Sequence, residues 1–392
     1  MSTARNIPVM TVTAALNVGS VMLWNPILSL IMRDLGASDL QISVAFAAWA
    51  LAAAFSQYQG GRWGDRFGRF PIVVYPTYLC ALAIGTAAFM PSWLPFAIVY
   101  VFWNAFNALQ SPVFMPFVGE SVPPERRGHA FGLLEGVIAV GIVIGPLLGA
   151  RLLPAIGARG LFLITAAVIM STATVRHLLL RETRPKATGS RPFAFSHIFS
   201  GRLRLVLLSL VLSNVVLVMA NWGPFMSLHA SDAMGLSKAQ INLFFALGAA
   251  VGAASSPLGG RAVARFGPHR VLALACLGLG LCALLWMVQR NLAGIALGYL
   301  LINFFFQWGV ISNDAFRVHA VDESIRGVCL GSMGTLVSLS TVVVVPLVGF
   351  LKQLLPTAPF WMATVAAVGL LVVTNALTRA DATEPAGLTA AE

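Results

Sequence analysis

Long apolar runs alternate with short polar turns along the whole chain. Twelve runs are close to 20 residues or longer: 7–31, 41–59, 71–90, 93–113, 128–150, 160–180, 203–228, 239–258, 269–289, 292–312, 327–350 and 358–378. A helix that crosses a bilayer needs about 20 mostly apolar residues. The runs are too long for barrel strands and lack a two-residue alternation. The pattern predicts an all-α membrane protein of twelve transmembrane helices. No small-residue cleavage site follows the first run, so it is expected to stay as a helix. The longest polar interval, 181–202 (RETRPKATGSRPFAFSHIFSGR), divides the runs six and six. The expected organisation is an N-terminal six-helix half at 1–180, a cytoplasmic linker at 181–202, a C-terminal half at 203–378 and a disordered cytoplasmic tail at 379–392.

The two halves repeat one plan. GGRWGDRFGRFP at 60–71 returns as GGRAVARFGP at 259–268, and WNPILSL at 24–30 returns as WGPFMSL at 222–228. WNAFN at 103–107 aligns with INFFF at 302–306, VPPERRG at 122–128 with VDESIRG at 321–327, and GPLLG at 145–149 with VPLVG at 345–349. Parallel repeats of six-helix halves place a substrate site near mid-membrane, at the interface of the halves.

Composition agrees with the pattern. The 392 residues are 58% hydrophobic and 10% charged, with a mean hydropathy of +0.84, whereas a soluble domain carries about 25% charge. The net charge of +11 would suggest nucleic acid in a soluble protein, but the basic residues sit in short turns between apolar runs. With both termini inside, 19 of the 25 basic residues fall on the inner face and six on the outer. That asymmetry orients an even number of spans with both ends cytoplasmic. Cys80, Cys276, Cys282 and Cys329 lie within apolar runs and match no metal spacing. His129, His177 and His269 fall at inner helix ends, and no Gly-rich nucleotide loop ending in Gly-Lys-Ser/Thr is present. An enzyme is not expected.

The loop GRWGDRFGR at 61–69 resembles the signature of the major facilitator superfamily, through Gly61, Asp65, Arg66, Gly68 and Arg69; Phe70 replaces the usual final basic residue. The second copy keeps Gly260, Arg265 and Gly267 and has Ala264 in place of the acid. The resemblance implies twelve helices in two pseudo-symmetric six-helix halves, alternating access, and a gating latch at this loop. The fifth run, RGHAFGLLEGVIAVGIVIGPLLGA, is similar to the motif of proton-driven drug exporters with twelve helices, through Gly141, Gly145, Pro146 and Gly149. It implies export in exchange for protons. Small-xxx-small spacing also serves plain helix packing.

Of 14 acidic residues, Glu135 alone lies well inside a run. Ionisable groups at depth are costly and default to function, and burial disfavours the charged carboxyl form. Glu135 is therefore the candidate proton carrier; direct binding of a cationic substrate and structural pairing are the alternatives. No Lys or Arg is expected deep in a run, which argues against an anionic substrate. Amide and aromatic side chains supply the candidate substrate cavity: Asn17, Trp24, Asn25, Trp103, Asn104, Asn107, Gln110, Asn214, Asn221, Trp222, Asn303, Gln307 and Trp308. Amides are costly in lipid and should face protein or water. Asn104, Asn107 and Gln110 recur every third residue and are expected on one face. Pro26 and Pro224 occupy equivalent places and should kink their helices.

These features predict a multi-pass cell-membrane carrier that exports small amphiphilic, neutral or cationic compounds in exchange for protons. It would need no cofactor beyond the proton gradient, bind no nucleic acid and act as a monomer in the lipid bilayer. A proton-linked sugar or neutral-metabolite carrier, and a lipid or glycolipid flippase, are the alternatives.

Overall fold

The computed structural model describes residues 5–183, 199, 201–289, 291–319 and 326–383. Helix α1 (Asn6–Met22) leads through a 3-10 turn at Asn25–Ile27 into α2 (Leu28–Asp34), so the first apolar run is one span broken at Trp24 and Asn25. Pro26 lies in that turn, where its missing N–H costs least. Helix α3 (Asp39–Phe67) starts on a capping box: Ser38 Oγ accepts from Gln41 N, and Gln41 Oε1 accepts from Ser38 N at 2.8 Å. It ends at Gly68, whose φ of 97° reverses the chain into α4 (Arg69–Ala87). Helix α5 (Trp93–Glu120) and a 3-10 turn at Pro124–Arg126 precede α6 (Arg127–Leu179).

The 53 residues of α6 hold two of the expected runs, and the backbone breaks between them at Gly157, with φ 65° and ψ 179°. At 1.5 Å per residue its length is about 80 Å, enough for two crossings of a core about 30 Å thick. Helix α7 (Gly201–Leu217) passes into a π-turn at Val218–Trp222 and then, across Pro224, into α8 (Phe225–Asp232). Helices α9 (Lys238–Phe266), α10 (Pro268–Met287), α11 (Leu292–His319), α12 (Arg326–Leu354) and α13 (Ala358–Thr383) follow. Gly267, with φ 82°, turns α9 into α10 as Gly68 turns α3 into α4.

Among the described residues there is no strand, and ten segments are long and apolar enough to cross a membrane. Counting α6 as two crossings and adding α5, which carries the 93–113 run, gives each of the twelve expected runs a helix.

Contacts divide the chain into two compact units. The first comprises Met1–Thr188, Pro224–Ala250 and Val345–Gln353; the second comprises Gly189–Gly223, Val251–Val344 and Leu354–Glu392. In the first, Met10, Ala14, Val73, Val113, Phe117 and Leu134 form a buried apolar cluster. In the second, Trp286 packs on Tyr299 and Phe360 with ring centroids 6.1 Å apart in each pair. Large apolar side chains such as Phe55, Leu82, Val140, Val343 and Val365 point outward, the pattern expected where lipid rather than water is the solvent.

Candidate transport site

The glycine loop is built on close helix contacts. A Cβ at Gly60 would overlap the Leu109 carbonyl, and one at Gly64 would lie 2.6 Å from Val113 Cγ2, so α3 and α5 touch backbone to side chain there. Gly61 is looser, with Pro112 Cβ 3.9 Å from the same construction. Asp65 pairs with Arg69 at 3.1 Å one turn on, and its side chain is 72% exposed. Arg69 also reaches Glu120 at 3.4 Å. Arg66 lies over the Phe67 ring, and its repeat mate Arg265 lies over Phe266, both at 5.2 Å.

Glu182, assigned by sequence to the linker, has a local task instead. Its carboxylate accepts from the backbone N–H of Arg69 at 2.8 Å and of Phe70 at 3.1 Å, which caps the start of α4. A carboxylate there satisfies orphan donors and meets the positive end of the helix dipole. Glu120 accepts from the Thr183 hydroxyl beside it. Residues 184–198, 200, 320–325 and 384–392 lie outside the described residues, as do the side chains of Trp222 and Cys329.

The motif of the fifth run is a packing seam. Gly141, Gly145 and Gly149 lie on one stripe of α6 against α1. A Cβ on Gly141 would fall 2.6 Å from the Ala15 carbonyl oxygen, one on Gly145 would overlap Gly19 O and lie 2.6 Å from Met22 Cβ, and one on Gly149 would overlap Leu23 O. Gly145, Pro146 and Gly149 are buried. Asn242 of α9 joins this seam, donating to the Leu23 carbonyl at 2.9 Å.

Glu135, about 40° from Gly149 around α6, is exposed, not buried. A Cβ built on Gly132 or Gly136 beside it would meet open space. The expected absence of deep cations is corrected by Arg176. This residue is 2% exposed, with Nε donating to Thr13 Oγ1 at 2.9 Å and Nη1 donating to Thr77 Oγ1 and Gln110 Oε1 at 3.2 Å. Thr77 is eight residues into α4, roughly 12 Å along its axis, so the guanidinium is drawn well inside the bundle. Three neutral acceptors from α1, α4 and α5 hold it, and the Phe114 ring lies 5.9 Å away.

The cavity candidates fall into separate groups. In the first unit, Trp24 is fully buried and donates to Thr165 Oγ1 at 3.0 Å. It packs on Tyr100, Trp103 and Phe162 at centroid distances of 6.1, 5.7 and 5.1 Å. Trp49 adds an edge contact to Tyr100 at 5.6 Å. Tyr100 OH and Trp103 Nε1 are buried without a hydrogen-bond partner among the described residues. Asn104 donates to the Trp49 carbonyl at 3.3 Å, and Asn17 accepts from the Thr172 hydroxyl; Asn25 is half-buried at the break between α1 and α2.

Asn104 and Gln110 are buried and Asn107 is exposed, so the three do not share one environment although they span only about a 120° arc. Steps of three residues turn a helix by about 300°, so six residues leave the end positions about 120° apart.

In the second unit, the π-turn places Asn221 against α11. Its Nδ2 donates to Asn303 Oδ1 at 3.3 Å, Tyr299 OH donates to Asn221 Oδ1 at 3.4 Å, and Asn303 Nδ2 donates to the Tyr299 carbonyl at 3.0 Å. Asn214 donates to Thr341 Oγ1 at 2.9 Å, and Trp308 Nε1 donates to the Ser255 carbonyl at 3.3 Å. Gln307 is half-buried beside Gly252. Sequence reasoning missed Tyr100, Thr165, Tyr299 and Asn242; the aromatic spacing of Tyr100 and Trp103 on one helix was the available signal.

Comparison with known proteins places this architecture. The chain matches 27% of residues over 172 positions with an uncharacterised MFS-type transporter of Methanocaldococcus jannaschii, covering 44% of each chain. It is 24% identical over 276 positions to the multi-drug resistance efflux pump PmrA of Streptococcus pneumoniae, covering 65% of this chain and 66% of that one. The matched stretch thus spans less than two thirds of either relative. A crystal structure of a POT family transporter in complex with 5-aminolevulinic acid superposes with a TM-score of 0.80 at 13% identity over 97% of both chains, a likeness of fold. The sequence profile described as Major Facilitator Superfamily matches residues 10–313 and 210–392. With the duplicated glycine loop and the helix order above, that match makes the chain a member of the Major Facilitator Superfamily, a multi-pass membrane transporter.

Proposed function

We propose that this transporter exports small amphiphilic, neutral or cationic compounds in exchange for protons, by alternating access in the cell membrane with both termini cytoplasmic. The observation that carries the reading is the α1–α6 seam. Gly141, Gly145 and Gly149 bring two backbones together along about two turns, on the motif that resembles that of proton-driven drug exporters. Similarity to the multi-drug resistance efflux pump PmrA supports the same direction of transport.

Substrate recognition falls to the aromatic cluster of the first unit. Trp103 Nε1 and Tyr100 OH are donors without acceptors among the described residues, so a ligand that brings a carbonyl, ether or amine lone pair satisfies them while the rings cover its apolar body. The same ring faces attract a cation. Glu135, exposed on α6, is the proposed proton carrier: its carboxylate binds a proton or a cation in turn. Arg176 does not oppose this reading, because its Nε and Nη1 are engaged by Thr13, Thr77 and Gln110. The test is transport by purified protein in liposomes: ethidium should move outward with proton counterflow, and Glu135→Gln should abolish the coupling. Movement of sugar with protons, or accelerated flipping of labelled lipid, would assign one of the alternative cargoes.

A further inference from the structure

At the end of the first unit that holds the turn between α2 and α3, four charged side chains close a ring. Arg33 bonds both carboxylate oxygens of Asp232, the second at 3.0 Å, and also Asp39 at 2.7 Å. Lys352 bonds Asp39 and reaches Asp232 at 3.5 Å. Signs alternate around the ring, and its net charge is zero. Arg33 and Asp39 come from the N-terminal half, Asp232 and Lys352 from the C-terminal half. The ring is shielded on one side only: the Lys352 and Asp39 side chains are 8% and 23% exposed, those of Arg33 and Asp232 31% and 43%.

The ring sits on a seam that obeys the internal repeat. Ser29 and Ser227 are equivalent residues of WNPILSL and WGPFMSL, and their hydroxyls meet at 2.7 Å. The pseudo-twofold axis therefore runs between them. On either side the same glycine contact is made twice. A Cβ at Gly149 would fall 2.7 Å from Asn242 Nδ2, and one at Gly349 would lie 2.5 Å from Ser43 Cβ; Gly149 is equivalent to Gly349, and Ser43 to Asn242. Asp34 and Asp232 end the equivalent helices α2 and α8. Arg33, one residue before Asp34, bonds Asp232 across the seam, so opposite charges meet there.

We propose that this ring is the lock of the outer gate, and that it opens by splitting into one ion pair per half. Within the ring, parting the halves breaks only the Arg33–Asp232 and Lys352–Asp39 bonds; the Lys238–Asp34 pair at the same end also parts, its carboxylate being 59% exposed. Arg33–Asp39 and Lys352–Asp232 each lie within one half and persist, so no charge of the ring is stranded when the gate opens. An unpaired buried charge would make the transition costly; a ring that divides into two neutral pairs keeps both states accessible, as alternating access requires. The word "outer" rests on the proposed orientation, but the lock itself does not depend on the cargo.

The test uses spin labels at Ser92→Cys and Ala233→Cys, one in each half at this end, with the native cysteines replaced by serine and the protein in lipid nanodiscs. The parent should show a dominant short distance. Reversing the N-terminal pair (Arg33→Asp with Asp39→Arg) sets like charges together across the seam and should lower the short-to-long ratio at least about tenfold. Adding Asp232→Arg and Lys352→Asp rebuilds the ring with inverted signs and should restore the parent ratio. If the reversed protein does not fold, Arg33→Gln with Asp39→Asn should shift the ratio the same way by a smaller factor. A ratio unmoved by these changes, or a fourfold exchange that folds without restoring it, overturns the lock. The readout needs no substrate: failure of ethidium transport by the parent would sink the efflux reading alone.

Discussion

Two glycines on one helix should respond to the same substitution with opposite signs. Gly145 faces α1 so closely that an added Cβ overlaps the Gly19 carbonyl and lies 2.6 Å from Met22 Cβ. The obstacle is largely backbone, which cannot rotate away, so Gly145→Ala must part α1 from α6. Overpacking of this kind costs about 1–3 kcal/mol. Gly136 lies about two and a half turns earlier on α6, and a Cβ there meets nothing within 4 Å. Gly136→Ala removes backbone freedom from the unfolded chain without a clash and should stabilise by about 0.4–1 kcal/mol. Thermal unfolding in one detergent, followed through the buried Trp24 and Trp103, would read both. The expected result is a lower midpoint for Gly145→Ala and an unchanged or higher one for Gly136→Ala. If Gly145→Ala melts at or above the parent, the glycines are not a packing seam, and their motif must act by another route.

Asp65→Asn should leave stability within about 1 kcal/mol, since the Asp65–Arg69 pair is exposed and such pairs contribute little; a transport rate that nevertheless falls several-fold would place the work of Asp65 in another conformation, and an unchanged rate would reduce the loop to a turn. Glu182→Gln weakens the charged cap on Arg69 N and Phe70 N and should cost roughly 0.5–2 kcal/mol, read as a lower unfolding midpoint; no change would remove Glu182 from the fold's supports.

The framework was legible because each level of the sequence agreed. Run length gave the spans, and the recurrence of GGRWGDRFGRFP and WNPILSL gave the duplication. Gly68 and Gly267 could be placed at turns since both must take positive φ. The aromatic cluster was half visible, through Trp24 and Trp103. Arg176 was not: three residues from the end of α6 it reads as an interfacial charge, and only the folded chain gathers Thr13, Thr77 and Gln110 around it. The charged ring was hidden for a related reason. Arg33 and Lys352 each count as one outer basic residue, and their partners lie 199 and 313 positions away. The π-turn at Val218–Trp222 also escapes periodicity, since one added residue in a helical turn leaves the apolar pattern intact.

The most direct measurement is ethidium flux from liposomes holding the purified transporter in its proposed orientation, with the outside acidified. Ethidium should leave only while the proton gradient stands, each departure matched by proton entry, and Glu135→Gln should uncouple the two. Flux that ignores the gradient, or ethidium travelling in the same direction as protons, would contradict proton-coupled export.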